Sequence, residues 1–278
     1  MLSLKAALEE AIASIGRIDA QVLMAHLLGV NRAYLVANPM RILTETEDAR
    51  IDSLVALRAL GHPVAYLIGA REFYSRDFAV SPAVLIPRPE TETLVEAALA
   101  ELRRPREIER RTTLLDLGTG SGAVAVTLAC ERSDAQIVAT DSSLEALEVA
   151  RANAAALGAQ VELLHGSWYA PVAGRRFDVI VSNPPYVGAA DPHLALGDLR
   201  FEPRGALTDG SGDGLESIRA IVAGAAAHLN PGGRVLIEHG YDQADAVSAL
   251  LAAAGFADIA SLPDLAGIPR VARARIEG

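Results

Sequence analysis

Thr112-Thr113-Leu114-Leu115-Asp116-Leu117, then Gly118-Thr119-Gly120-Ser121-Gly122, then Ala123 to Ala129, is the stretch whose reading decides how this chain folds. The apolar run reads as a strand with one carboxylate, Asp116, near its end, and Ala123 to Ala129 reads as a helix. Strand, glycine loop, helix is the opening unit of a nucleotide-binding α/β sheet. Glycines let the backbone approach a ligand closely and take positive φ without strain, and a helix start offers free N–H groups. The spacing is Gly118-x-Gly120-x-Gly122. A dinucleotide fingerprint places its third glycine at position 123, where this chain has Ala123, so the match to a pyrophosphate binder is weakened.

Working outward, the next strand, Gln136 to Thr140, ends at Asp141. An acidic residue about 20 positions past the glycine loop accepts hydrogen bonds from ribose hydroxyls. Asp141 also reads as a helix N-cap before Ser142 and Ser143, and the two roles are compatible because a cap uses only part of a carboxylate. A third strand, Val161 to Leu164, leads to Gly166-Ser167-Trp168. Trp168, the only tryptophan, reads either as the wall of an adenine pocket or as a core aromatic. The ribose geometry serves NAD and S-adenosylmethionine alike. S-adenosylmethionine fits better: its sulfonium is already positive and needs only a close-fitting electronegative cavity, and no second nucleotide half has to be housed.

Phe177-Asp178-Val179-Ile180-Val181-Ser182 reads as another buried strand, and Asn183-Pro184-Pro185-Tyr186 follows it. In an open α/β sheet, ligands bind at the carboxyl ends of strands. Asn183 and Pro184 each precede a proline and are held extended. The Asn183 side-chain carbonyl and the Pro184 backbone carbonyl can then point the same way, and two such acceptors suit a planar –NH2 group. This resembles the catalytic motif of methyltransferases that modify amide or exocyclic amino nitrogens. Tyr186 reads either as packing on the guest amide or as a hydrophobic plug over the sheet end.

Four blocks stand in order: Leu85-Ile86-Pro87-Arg88-Pro89-Glu90-Thr91-Glu92, Leu115 to Gly122, Asn183 to Tyr186, and Arg200-Phe201-Glu202-Pro203. Together they resemble the release-factor glutamine methyltransferase family, the HemK/PrmC-type enzymes, over nearly the whole chain. The first block and the run from Asp191-Pro192-His193 to Glu202-Pro203 carry most of the specificity. The resemblance implies a Rossmann-like class I methyltransferase sheet, mostly parallel with an antiparallel last strand, behind a small all-helical domain. It implies methyl transfer from S-adenosylmethionine to the side-chain nitrogen (N5) of the glutamine in the Gly-Gly-Gln loop of class I peptide-chain release factors. By position, Gly118, Thr119, Gly120, Ser121 and Gly122 would hold the amino-acid end of the cofactor. Asp141 would bind its ribose, Trp168 would lie by the adenine, and Asn183 would touch cofactor and substrate. Asn183, Pro184 and Tyr186 would be catalytic, and Asn183 to Tyr186 would bind substrate. Ser167 stands where the family often has Asp.

The 278 residues suffice for a large domain plus a small one, and 51% hydrophobic content supports a sizeable core. No apolar stretch is long enough for a membrane span, and the first residues lack the layout of a secretory signal. One cysteine, Cys130, cannot form an internal disulfide, so a reducing cytoplasm is the natural expectation. Leu4, Leu8 and Ile12 recur at helical spacing, as do Val22, Leu23, Ala25 and Leu27. Gly29 would end the second helix, and Thr44-Glu45-Thr46-Glu47 offers a capping box before Ile51, Leu54, Val55 and Leu57. The expected organisation is a helical substrate-recognition domain over residues 1–72, a hairpin and linker over 73–89, and the methyltransferase domain over 90–278. The helical part either binds the protein substrate or only stabilises the fold. Gly205 to Gly214, polar and glycine-rich, reads as a mobile loop.

A net charge of −10 weighs against a nucleic-acid backbone as partner. The cation-rich stretch Arg103-Arg104-Pro105-Arg106, with Arg110 and Arg111, reads as a solvated linker or, less readily, an RNA-contacting patch. Glu90, Glu92, Arg200 and Glu202 read either as a clamp at the pocket mouth or as ordinary structural pairs. The six histidines show no paired metal-ligand spacing, and no metal is expected. The rival functions are an amino methyltransferase acting on adenine or guanine in nucleic acid, a nicotinamide oxidoreductase, and a non-catalytic partner of a translation factor. Aromatic content of 4% speaks against base flipping, and Ala123 against the oxidoreductase.

Overall fold

A computed structural model describes residues 2–103 and 111–277. Arg104, Pro105, Arg106 and Arg110 of the cation-rich stretch lie outside the described residues. The chain divides into two compact units, one of Met1–Ala70 with Leu196–Phe201, the other of Arg71–Ala195 with Glu202–Gly278.

The first unit is helical: α1 (Leu4–Ile15), α2 (Arg17–Leu28), α3 (Arg32–Ala37), α4 (Glu45–Ala59) and α5 (Val64–Ile68). Local chemistry sets the boundaries. Ser3 caps α1 through its hydroxyl, Gly29 closes α2 in the left-handed conformation, and Thr44 with Glu47 forms a complete capping box on α4. The buried stripe of α1 is Leu4, Ala7 and Ala11. Leu8 and Ile12 flank it, partly buried, because alanines let the neighbouring helices approach most closely. Arg58 of α4 bridges Asp19 at 2.6 Å and Asp198 at 3.0 Å, and Phe201 lies against the His62 ring with centroids 4.3 Å apart. These contacts group the Leu196–Phe201 segment with the helices.

The second unit begins with a hairpin, β1 (Ala70–Phe73) and β2 (Arg76–Ala79), a few residues upstream of the expected position. Its turn, Tyr74-Ser75, has φ of 52° and 57°, the twist of a tight hairpin turn made here without glycine or asparagine. After α6 (Glu92–Leu102), strands and helices alternate: β3 (Thr113–Leu117), α7 (Ala123–Glu131), β4 (Gln136–Asp141), α8 (Leu144–Ala156), β5 (Val161–His165) and β6 (Phe177–Ser182). A short α9 (Arg204–Leu207) and α10 (Glu216–His228) precede β7 (Leu229–Glu238), α11 (Ala244–Ala253), β8 (Phe256–Pro263) and β9 (Pro269–Ile276). The seven-stranded sheet has the order β5-β4-β3-β6-β7-β9-β8. β3 to β7 are parallel, and β9 pairs antiparallel with both β7 and β8. This is the Rossmann-like class I methyltransferase architecture.

The period of two explains its layering. Leu114, Val179, Val181 and Leu236 face one core with α6 and α7. Leu115, Leu117, Ile180, Val235 and Ile237 face the other with α10 and α11. A sheet covered on both faces needs strands apolar on both sides, and all six residues of β6 are buried. The apolar pattern of the sequence predicts a strand over Arg234 to Glu238; β7 extends backward from there to Leu229 through a bulged segment. The β6–β7 register jumps from Phe177↔Leu229 to Val179↔Arg234 around Asn230-Pro231-Gly232-Gly233. Asp178 holds this irregularity, accepting from Asn230 Nδ2 at 3.0 Å and from the Thr113 N–H at 2.9 Å.

Candidate active site

The strand order reverses between β3 and β6, whose last residues pair as Leu117↔Ser182. Gly118 and Asn183 therefore leave the sheet side by side at the topological switch point, where open α/β sheets bind ligands. Ser182 donates to the Leu117 carbonyl at 2.7 Å and fixes that junction. A cavity of about 530 Å³ opens there, within the range of small-molecule sites.

The glycine loop forms one wall: Gly118, Thr119, Gly120 and Ser121 line the cavity. The Gly118 and Thr119 N–H groups both donate to the Thr140 carbonyl, at 2.9 and 3.0 Å, which ties the loop to β4. Gly122 does not line the cavity. It sits at φ +81° at the head of α7, where a Cβ would come within 3.1 Å of Ala150 and Val126. Its role here is helix packing. Asn153 was not anticipated. Buried on α8, it donates to the Ser121 carbonyl at 2.8 Å and exchanges two bonds with Ala79 of β2.

Asp141 lines the cavity and faces donors: the Gly120 N–H reaches Oδ2 at 2.8 Å and the Ser143 N–H reaches Oδ1 at 2.9 Å. The N-cap of α8 is Ser143, not Asp141, because the Ser143 hydroxyl is the group that accepts the Ala146 N–H. Each Asp141 oxygen keeps a lone pair for a ribose hydroxyl. Asp116, the carboxylate near the end of β3, also lines the cavity and accepts from the Thr119 hydroxyl at 2.7 Å. Burial pushes its carboxyl up to about 7, opposed by the Thr119 bond and reinforced by the charge of Asp141. A carboxyl held near ionisation this way gains from any cation placed beside it. Gly166, Ser167 and Trp168 form the adjoining edge. Trp168, with φ 45°, both borders the cavity and packs on the second core.

From the far side come Val84, Leu85, Pro87, Arg88 and Thr91, and from the chain after Pro203 come Thr208, Asp209 and Ser217. Residues Gly205 to Gly214 were expected to be a mobile loop. The structure makes their first part α9 and pins the rest, with Val187 N–H on the Leu207 carbonyl at 2.9 Å and Ala189 N–H on the Ser211 carbonyl at 2.8 Å. Asp209 anchors the turn from within, accepting from the Ser211 and Ser217 N–H groups.

Of the Asn-Pro-Pro-Tyr block, Asn183 and Pro185 line the cavity, and Pro184 and Tyr186 do not. Asn183 Nδ2 donates to the Thr91 hydroxyl oxygen at 3.1 Å, which leaves Oδ1 as the amide's unengaged acceptor. Tyr186 packs on the second core and donates its hydroxyl to Glu238 Oε1 at 3.2 Å. Burial pushes the phenol far up, so it stays neutral and a donor. This geometry matches the plug over the sheet end.

The four residues considered as a clamp are outside the cavity wall. Glu202 is buried, accepting from the Ile86 N–H at 3.0 Å and pairing with Arg88, while Glu92 accepts from the Tyr74 N–H at 2.9 Å. Arg200 donates to the Leu60 carbonyl. Glu90 acts on Glu238, raising its pKa. His193 is exposed and pairs with Asp191. His239 is fully buried, and burial lowers its pKa. Among the described residues no group of three or more His, Cys, Asp or Glu could hold a metal ion, and no helix is long and apolar enough to cross a membrane.

The cavity fits S-adenosylmethionine on its own chemistry. Three carboxyl groups, Asp116, Asp141 and Asp209, line it, and the guanidinium it contains, Arg88, is already paired with Glu202. That imbalance favours a ligand carrying a sulfonium and an ammonium.

Comparisons with known proteins agree. A family model for the methyltransferase small domain matches residues 94–199, and one for the PrmC N-terminal domain matches residues 3–69. The chain is 52% identical over 268 residues to a release factor glutamine methyltransferase of Burkholderia pseudomallei, covering 94% of this chain and 92% of that one. It is 50% identical over 274 residues to one of Xylella fastidiosa, covering 98% of each. Among solved structures, a methyltransferase from Pyrococcus furiosus superposes with a TM-score of 0.53 at 21% identity, over 84% of this chain and 100% of that one. The METTL16 methyltransferase domain superposes with a TM-score of 0.55 at 15% identity, over 80% and 95%. These two structures share the fold alone. With both family models in place and about half of all residues identical over nearly the full length, the chain belongs to the release factor glutamine methyltransferases.

Proposed function

We propose that this protein transfers a methyl group from S-adenosylmethionine to the side-chain amide nitrogen (N5) of the glutamine in the Gly-Gly-Gln motif of class I peptide-chain release factors. When bound, the cofactor supplies an electrophilic methyl on a positively charged sulfur. The glycine loop and Asp141 hold its amino-acid and ribose parts, Trp168 borders its adenine, and Asp116 favours its positive charge.

The chain's own residues handle the acceptor. An amide nitrogen is a poor nucleophile because its lone pair is delocalised into the carbonyl. Asn183 Oδ1, on the cavity wall, accepts a hydrogen bond from the glutamine –NH2 and orients its nitrogen. Such orientation can contribute about 7–11 kcal/mol at its upper range. Acceptors placed where positive charge builds on nitrogen add electrostatic stabilisation. No strong base is needed beforehand, since the product amide cation is acidic enough to lose its proton to solvent. The helical unit offers the release factor a second foothold.

The observation that carries this reading is the Asn183–Thr91 hydrogen bond, which ties up the amide's donor end and leaves an acceptor at the cavity. The test is incubation of the protein with labelled S-adenosylmethionine and either a release factor or nucleic acid, followed by mass analysis of the release-factor peptide. The expected result is one added methyl on the Gly-Gly-Gln glutamine. Label in nucleic acid with an unmodified glutamine would overturn it.

A further inference from the structure

A chain of polar groups runs inward from Asn183. Asn183 Nδ2 donates to Thr91 Oγ1 at 3.1 Å. The Thr91 hydroxyl favours the charged form of the Glu238 carboxyl. Glu238 ends β7, is 1% exposed, and accepts from Tyr186 at Oε1, while its buried Oε2 makes no hydrogen bond. A buried carboxylate oxygen without a partner calls for a reason.

A hydroxyl has one proton to give. If Thr91 points it at Glu238, the Thr91 oxygen can only accept from Asn183, and Asn183 must present Nδ2 inward and Oδ1 to the cavity. If Thr91 points it at Asn183, the amide turns over and shows its NH2 to an incoming –NH2, donor against donor. We propose that Thr91 and Glu238 are positioning residues which fix the direction of this chain and thereby keep the Asn183 acceptor facing the substrate nitrogen. The inference rests on the methyl-transfer reading above and names the groups that make its acceptor selective for a hydrogen-bearing nitrogen.

The surroundings of Glu238 fit such a role. Thr91 and Glu90 face it from the turn before α6, Tyr186 from the loop after β6, Arg270 from β9, and His239 follows it in the chain. Burial pushes its carboxyl up to about 7; the Thr91 and Tyr186 hydroxyls and Arg270 oppose that, and Glu90 adds to it. The charged form can only accept, so it draws the Thr91 proton. The protonated form can donate to the Thr91 oxygen and release the Thr91 proton toward Asn183. Turnover should therefore fall as pH drops through the Glu238 titration. Thr91 makes no side-chain capping bond to α6, so changing it leaves that helix start intact.

The test uses the full chain and three variants, Thr91→Val, Thr91→Ser and Glu238→Gln, with release factor as substrate. Thr91→Val should lower kcat by about 10²-fold, the cost of a misplaced reacting group, with cofactor Kd within roughly threefold of wild type. Thr91→Ser should regain most of that loss. Glu238→Gln should lower the plateau and abolish the acidic limb of the pH profile. A second measurement needs no turnover: the Asn183 side-chain amide signals, followed by NMR in asparagine-labelled protein, should titrate in wild type and stay flat in Glu238→Gln. Wild-type protein that leaves the release-factor glutamine unmodified would sink the function while these signals still judge the polar chain. A Thr91→Val variant with wild-type kcat and pH profile, or amide signals that do not move with pH, would overturn the proposal.

Discussion

Asp141→Asn separates two duties carried by one carboxylate. Asp141 already takes the Gly120 N–H on one oxygen and the Ser143 N–H on the other. An asparagine in the same rotamer must turn its NH2 toward one of these donors, losing that bond and setting two donors face to face. A hydrogen bond to a charged group contributes about 1.5–3 kcal/mol. Loss of one should destabilise the protein by roughly 2 kcal/mol, a fall of about 4–8 °C in melting temperature for a unit of this size. The same change removes an acceptor from the cavity wall. S-adenosylmethionine should then bind about 1.5–3 kcal/mol more weakly, roughly 10- to 150-fold in Kd. Calorimetric titration with the cofactor measures the second effect, and a thermal melt without it measures the first. Cofactor binding within about threefold of wild type would refute the ribose role, and an unchanged melting temperature would refute the bracing of the glycine loop.

Asn183→Ala should abolish glutamine methylation while cofactor affinity stays within roughly tenfold, about 1.4 kcal/mol; near-normal turnover in a radiolabel assay would refute the acceptor role. Gly122→Ala places a Cβ at φ +81° and 3.1 Å from both Ala150 and Val126, so it should cost at least about 1–2 kcal/mol in denaturant unfolding from the left-handed backbone alone, with cofactor Kd little changed. Burial raises both Asp116 and Glu238 to about 7. Between the ordinary carboxylate range and that value the folded chain holds more protons than the unfolded one, so these two groups make stability fall as pH rises through the window. Urea unfolding at several pH values should show a shallower slope in Glu238→Gln than in wild type, and equal slopes would contradict the assignment.

Strands β3, β4 and β6 were legible almost to the residue because a sheet covered on both faces demands apolar runs, and β5 was legible from Val161, Leu163 and Leu164 although the sheet edge leaves it half-exposed. β7 was read short because Asn230-Pro231-Gly232-Gly233 looks like a turn, whereas Asp178, on the neighbouring strand, holds it as a bulge. The β1–β2 hairpin was misplaced by a few residues because Tyr74-Ser75 lacks the usual turn chemistry. At the site, Asn183, Asp141 and the glycine loop were visible as motif residues with local meaning. Thr91 and Asn153 were not, because their value lies in bonds to residues 92 and 32 or more positions away. The pinning of 205–214 was hidden for the same reason: composition signals a loop, and only the fold supplies Val187 and Ala189 as its partners.

Leu196–Phe201 groups with helices encoded more than a hundred residues earlier, though both its neighbours in the chain belong to the sheet-bearing unit. Severing the polypeptide once, after Ala70, would leave two incomplete pieces. The shorter would keep Arg58 with Asp19 but lose Asp198, and the longer would carry Phe201 without His62 and Arg200 without its carbonyl on Leu60. Recombination at a single junction could not transplant the helical part intact. Any exchange of it between proteins has to bring along six residues from the other half of the gene.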